Sequence, residues 1–218
     1  MLDLQQLVRI DRGHVFLRLD EDVENGLHIF PEVRDRLLNA LHFCGHIESD
    51  TENRLRGGYL RAALAELVSV EDALYRLQRR NALPGEVRRL NHSSNPLLHI
   101  VRELRNLGIH LRSSTLDSEK RELLWGHVDR PEDATQVSWT LWWLDDLSLQ
   151  AFEELNNFKR YDRTAFAKAL AWFDEAQRQW GISELVLRAI KEYARELHES
   201  YVGAANHGKQ APRKQPRS

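Results

Sequence analysis

A mainly α-helical fold with one small β-hairpin is predicted by three features of this sequence. Only 11 glycines and 6 prolines interrupt the 218 residues. Long stretches between them repeat apolar residues at spacings of three and four, and one stretch after residue 115 turns aromatic and β-favouring instead. Taking the elements in order, residues 1–30 are irregular, with 15–19 and 27–30 read as short strands around Asn25-Gly26 or as an ordered loop. Residues 31–48 carry Val33, Leu37, Leu38, Leu41 and Cys44 on one helical face, with Pro31 in the first turn. Residues 58–80 repeat the pattern through Leu60, Leu64, Leu67 and Leu74, and Arg76, Arg79 and Arg80 load the C-terminal end, as the helix dipole favours.

The third helix, 96–111, has the clearest start: Asn95 is an N-cap residue and Pro96 a preset first-turn residue. A hairpin is predicted for 122–126 and 135–143, separated by the turn-like 129–133. Two more helices, 163–180 and 183–201, are divided by Gly181. Residues 1–202 thus read as one helical domain. Residues 203–218 hold Lys209, Arg213, Lys214 and Arg217 without an apolar stripe and read as a disordered basic tail.

Composition narrows the function. With 42% apolar and 29% charged residues, a mean hydropathy of −0.56 and no apolar run of spanning length, no membrane role is expected, and a cytoplasmic location is. One cysteine, Cys44, excludes an intramolecular disulfide and a cysteine-only zinc site. A net charge of −2 makes no overall electrostatic case for nucleic acid, so any such contact is local. The sequence contains no phosphate-binding glycine loop, nucleophile elbow, zinc-protease helix or calcium loop. His42 and His46 are the one histidine pair spaced by four, and without further ligands they read as a solvated helix face; no metal or cofactor is expected. The adjacent acids Asp145-Asp146 and Glu153-Glu154 read as surface charge. Trp172 and Trp180 are assigned to the core, whereas Trp139, Trp142 and Trp143 cannot all share one strand face, so at least one is expected to be exposed for a partner or a stacked base.

What remains is Arg105-Asn106-Leu107-Gly108-Ile109-His110 within the capped third helix. Arg-x4-His also occurs at Arg9 to His14, where no helical stripe can be drawn; context singles out the second instance. Asn106 and His110 share a face, but Arg105 is rotated by about 140° from His110, so one regular helix does not aim both at a single atom. Gly108, costly in a helix interior, marks a close approach or a bend. Leu104, Gly108 and Leu111 are assigned to a contact with a second copy.

Arg105-Asn106 and His110 resemble the motif of the HEPN domains (higher eukaryotes and prokaryotes nucleotide-binding), whose ribonuclease members carry Arg, a polar residue, and His four to six positions after the Arg. Helix layout extends the resemblance over residues 31–112. The resemblance implies an antiparallel helical bundle of the HEPN type, a homodimer with facing motifs, and metal-independent RNA cleavage. His110 would be general base on a ribose 2′-OH, Arg105 would hold the phosphate, and Asn106 would orient the imidazole or the phosphate. It also implies a toxin or defence setting. Two other readings compete with it: a catalytically silent HEPN-like interaction module, and an ordinary helix in which Arg105 pairs with nearby acids and His110 serves the helix dipole.

Overall fold

The computed structural model describes residues 1–13, 17–48, 53–80, 90–110, 116–126, 131–145 and 147–208. Among them lie seven α-helices and one two-stranded antiparallel sheet: α1 (Glu21–Gly26), α2 (Pro31–Glu48), α3 (Asn53–Arg79), α4 (Pro96–His110), β1 (Leu116–Trp125), β2 (Thr135–Leu144), α5 (Leu149–Glu153), α6 (Arg163–Trp180) and α7 (Ile182–Gly208). The mainly helical reading with a small hairpin is therefore observed. α2 and α3 pack along most of their length, and α4, α6 and α7 close a core around them. Leu37, Leu41 and Ile47 of α2, Leu60 and Leu67 of α3, Leu98 and Val101 of α4, Phe166 and Phe173 of α6 and Ile190 and Tyr193 of α7 are all buried in it.

Local signals act at three ends, at Asn95 and Gly181 as expected. The Asn95 side chain accepts from Leu97 N–H at 3.0 Å and so caps α4. Asp162 does the same for α6, through Ala165 N–H at 2.8 Å. Gly181 takes φ 87°, a left-handed value that lets α7 leave the end of α6.

Four expectations change. Residues 21–29 are helical, as α1 and a 3₁₀ turn, rather than strand or loop. Gly26 is not a hairpin residue: its φ and ψ are helical, and a Cβ there would fall on the His198 ring of α7, so the glycine serves a close helix approach. β1 starts at Leu116 rather than residue 122, pairing with β2 from Leu116↔Leu144 to Trp125↔Thr135. Its polar residues 117–120 face solvent, which removes the apolar alternation that would reveal a strand. α7 runs to Gly208, six residues into the expected tail, because extending an anchored helix through good formers such as Ala204 and Ala205 costs little; residues 209–218 lie outside the described residues.

The fourth change concerns the tryptophans. Leu141, Trp142, Trp143 and Leu144 are consecutively buried, so both faces of the end of β2 are covered, and Trp139 is half-buried. No described tryptophan is exposed; the Trp125 side chain lies outside the described part. Trp142 lies under the Arg56 guanidinium at 4.2 Å. Trp172 and Trp180 are half-buried and donate to the carbonyls of Val8 and Ile10, both at 3.1 Å, tying the N-terminal segment to α6. The strand end itself is completed by buried Gln177, whose amide exchanges two 2.9 Å hydrogen bonds with the Leu144 backbone.

Among the described residues no helix is long and apolar enough to cross a membrane.

Candidate functional site

α4 presents two faces. Leu98, Val101 and Leu104 point into the bundle and are buried. On another side His99, Glu103, Asn106 and His110 recur at spacings of four, three and four, which keeps all four positions within about 60° around the helix. That polar stripe inside an apolar helix is the sequence signal for Glu103, which the Arg-Asn-x3-His motif does not include.

Glu103 is the centre of the stripe. Its carboxylate is fully buried, with Oε1 accepting from Tyr161 Oη at 2.9 Å and Oε2 from Asn106 Nδ2 at 2.8 Å. Arg102 Nη1 stands 3.4 Å from Oε1, and the same guanidinium is 3.4 Å from Glu71 Oε2 on α3. A buried charge is tolerated only when paired and hydrogen-bonded, and this one has a cation and two donors. Tyr161 sits after the 3₁₀ turn that precedes α6, packed against Phe158 and Phe166. Burial and the neighbouring Glu103 charge push its phenol well above the ordinary range, so it stays a neutral donor. His99 donates from Nε2 to the Ser93 carbonyl at 2.8 Å, and its Nδ1 lies 3.1 Å from Tyr161 Oη. Burial pulls the His99 imidazole below its usual value, which keeps it neutral near pH 7.

Arg105 and Asn106 stand at the outer end of this network, both half-buried. Arg105 Nη1 donates to Asn106 Oδ1 at 3.3 Å. Glu71 and Glu103 are held by Arg102, and among the described residues Arg105 has no carboxylate partner. The expected alternative, an Arg105 ion pair with neighbouring acids, is therefore not what these residues make. The structure brings Arg105, Asn106 and the last turn of α4 together; the His110 side chain lies outside its described part.

Two of the three residues assigned to a contact with a second copy are placed. Leu104 is buried in this chain's own core, turned away from the polar stripe. Gly108 does not mark a backbone close approach: a Cβ there would meet Arg61 Cγ at 3.6 Å and Cδ at 3.9 Å, ordinary contact distances. Leu111 lies outside the described residues.

Elsewhere, His42 is exposed and His46 stacks on Tyr59, with 5.0 Å between the rings. Among the described residues no three His, Cys, Asp or Glu side chains gather as a metal-ligand set. A cleft of about 1150 Å³, lined by Gln6, Ser93, Asn95, Arg195 and Glu196, opens at the other end of α4 from the motif.

No family model matches the chain, and neither does any curated protein or solved structure.

Proposed function

We propose that this protein is a HEPN-like, metal-independent endoribonuclease acting as a homodimer, with a toxin or defence role. The observation that supports the reading best is Arg105: a half-buried guanidinium held in place by a carboxamide and, among the described residues, without a carboxylate partner. Such a group retains its forked donors for a phosphate.

The chemistry needs RNA. Neutral His110 takes the proton from a ribose 2′-OH, the 2′ oxygen attacks the adjacent phosphorus, and the bond to the 5′ oxygen breaks. The products are a 2′,3′-cyclic phosphate and a 5′-OH, whose oxygen takes a proton from water or from the imidazolium just formed. Arg105 neutralises the charge that grows on the phosphoryl oxygens, and Asn106 holds Arg105. Because Arg105 and His110 diverge around one helix, the His110 of one copy acts with the Arg105 of another. A second reading, a silent interaction module, is favoured by one observation: Asn106 also helps to satisfy the Glu103 carboxylate through which α4 is tied to Tyr161, a service to the fold without chemistry.

The test is cleavage of an RNA panel in excess chelator, with solution mass measured alongside. The expected result is a dimer that leaves cyclic-phosphate ends, and a His110→Ala variant that folds but is slower by about 10²–10⁴. A 2′-deoxy residue at the cut site should block cleavage. A monomer with no activity across the panel would favour the silent module.

A further inference from the structure

Resting on the ribonuclease reading, we propose that Glu103 is a positioning residue that sets the orientation of the Arg105–Asn106 pair. A carboxylate is an acceptor only, so the Asn106 carboxamide must present Nδ2 to it, as the 2.8 Å contact to Oε2 shows. The carboxamide is planar, and with Nδ2 committed its Oδ1 faces the other way, where it receives Arg105 Nη1 at 3.3 Å. Glu103 is itself immobilised: it is fully buried, and Tyr161 Oη and Arg102 Nη1 hold its other oxygen at 2.9 and 3.4 Å. Orientation therefore passes from the packed interior through Glu103 and Asn106 to the guanidinium. Side chains at successive helix positions diverge by about 100°, so Arg105 and Asn106 do not come together from helix geometry alone. The anchor behind Asn106 holds the acceptor where Arg105 reaches it.

Reversing the polarity of the anchor tests this while every side chain stays polar and nearly the same size. Asn106→Asp sets a second carboxylate against Glu103; the side chain swings away, Arg105 loses its guide, and kcat for RNA cleavage should fall about 10²-fold, the usual cost of a misplaced group. Glu103→Gln alone should cost only a few-fold, since its Oε1 still accepts from Asn106 while its Nε2 turns to Tyr161 Oη. The double variant Glu103→Gln/Asn106→Asp should recover most of the lost rate. In it the amide introduced at position 103 donates to the carboxylate introduced at position 106, whose other oxygen again accepts from Arg105. Recovery is the readout that a merely structural role would not move, with thermal melts confirming that all three variants fold. If the wild type cleaves RNA and His110→Ala does not, but Asn106→Asp keeps full activity or the double variant fails to recover, the positioning role is overturned and the ribonuclease reading stands. If the wild type cleaves no RNA, the ribonuclease reading falls and takes this role with it.

Discussion

Two carboxylates of this protein, the buried Glu103 in the middle of α4 and the half-buried Glu48 at the end of α2, are satisfied in contrasting ways. Each accepts two side-chain donors: Tyr161 and Asn106 for Glu103, Ser183 and Trp139 for Glu48, the last at 2.7 Å. The difference lies in the nearest cation. Glu103 has the Arg102 guanidinium at 3.4 Å. The corresponding arginine near Glu48, Arg56, donates to the Ile47 carbonyl at 2.5 Å and lies over Trp142. Burial accordingly pushes the Glu48 carboxyl above its ordinary range; the Ser183 and Trp139 hydrogen bonds and Arg56 oppose that shift, while Glu184 adds to it. One carboxylate has a guanidinium beside it, and at the other burial favours the proton. Glu103 stands beside the motif, where a fixed acceptor can hold a carboxamide and, through it, a guanidinium.

The largest effect expected from breaking this contrast comes from Glu103→Ala. It leaves Arg102, Tyr161 and Asn106 without their common acceptor and should destabilise the fold by about 3–5 kcal/mol, measured by urea denaturation. A loss under about 1 kcal/mol would mean that the buried network contributes little.

Glu48 should behave in the opposite sense. Its folded-state value is raised, so the folded state holds the proton more tightly than the unfolded chain does. Its contribution is complete below the ordinary carboxylate range and is lost as pH climbs through the raised value. Glu48→Gln, neutral throughout, should therefore gain stability relative to wild type at about pH 8 and little at about pH 4, by about 1 kcal/mol at most, since an amide carries no charge for burial to penalise. Denaturation at the two pH values checks the sign; equal shifts at both would show that Glu48 is not held protonated.

The smallest effect sharpens the comparison at the motif end. Gly108→Ala adds a Cβ at ordinary distance from Arg61 and should stabilise α4 by about 0.5–1 kcal/mol through helix propensity. A destabilised variant would mean that the glycine serves a close contact with another molecule.

Much of the helical framework is legible from residue spacing, and the reason is physical range. Caps such as Asn95 and Asp162 act on the next two or three N–H groups, and an apolar stripe such as 33, 37, 41 and 44 reports a face one or two turns long. Both leave a mark within a short window. α1 is not legible because Asn25-Gly26 carries a turn signal, while the need for that glycine comes from His198, 172 positions away. The start of β1 is hidden because a strand that faces solvent with its polar residues shows no alternation.

The candidate site divides along the same line. Arg105, Asn106 and His110 are readable as a motif, and the spacing that puts Glu103 on the face of Asn106 and His110 is written in the chain as well. That Glu103 is the buried anchor of Asn106 is not, since it depends on Tyr161, 58 positions further on, and on Arg102 reaching Glu71 of α3. Sequence alone determined the five long helices, the presence of a hairpin and the motif, because hydrogen bonds along the backbone and the burial of one face are local choices. Tertiary structure alone decided which acid takes which arginine and which tryptophan is covered. Those pairings are selected by packing between elements distant in the chain, where burial removes water as an alternative partner and only the groups brought together by the fold can satisfy one another.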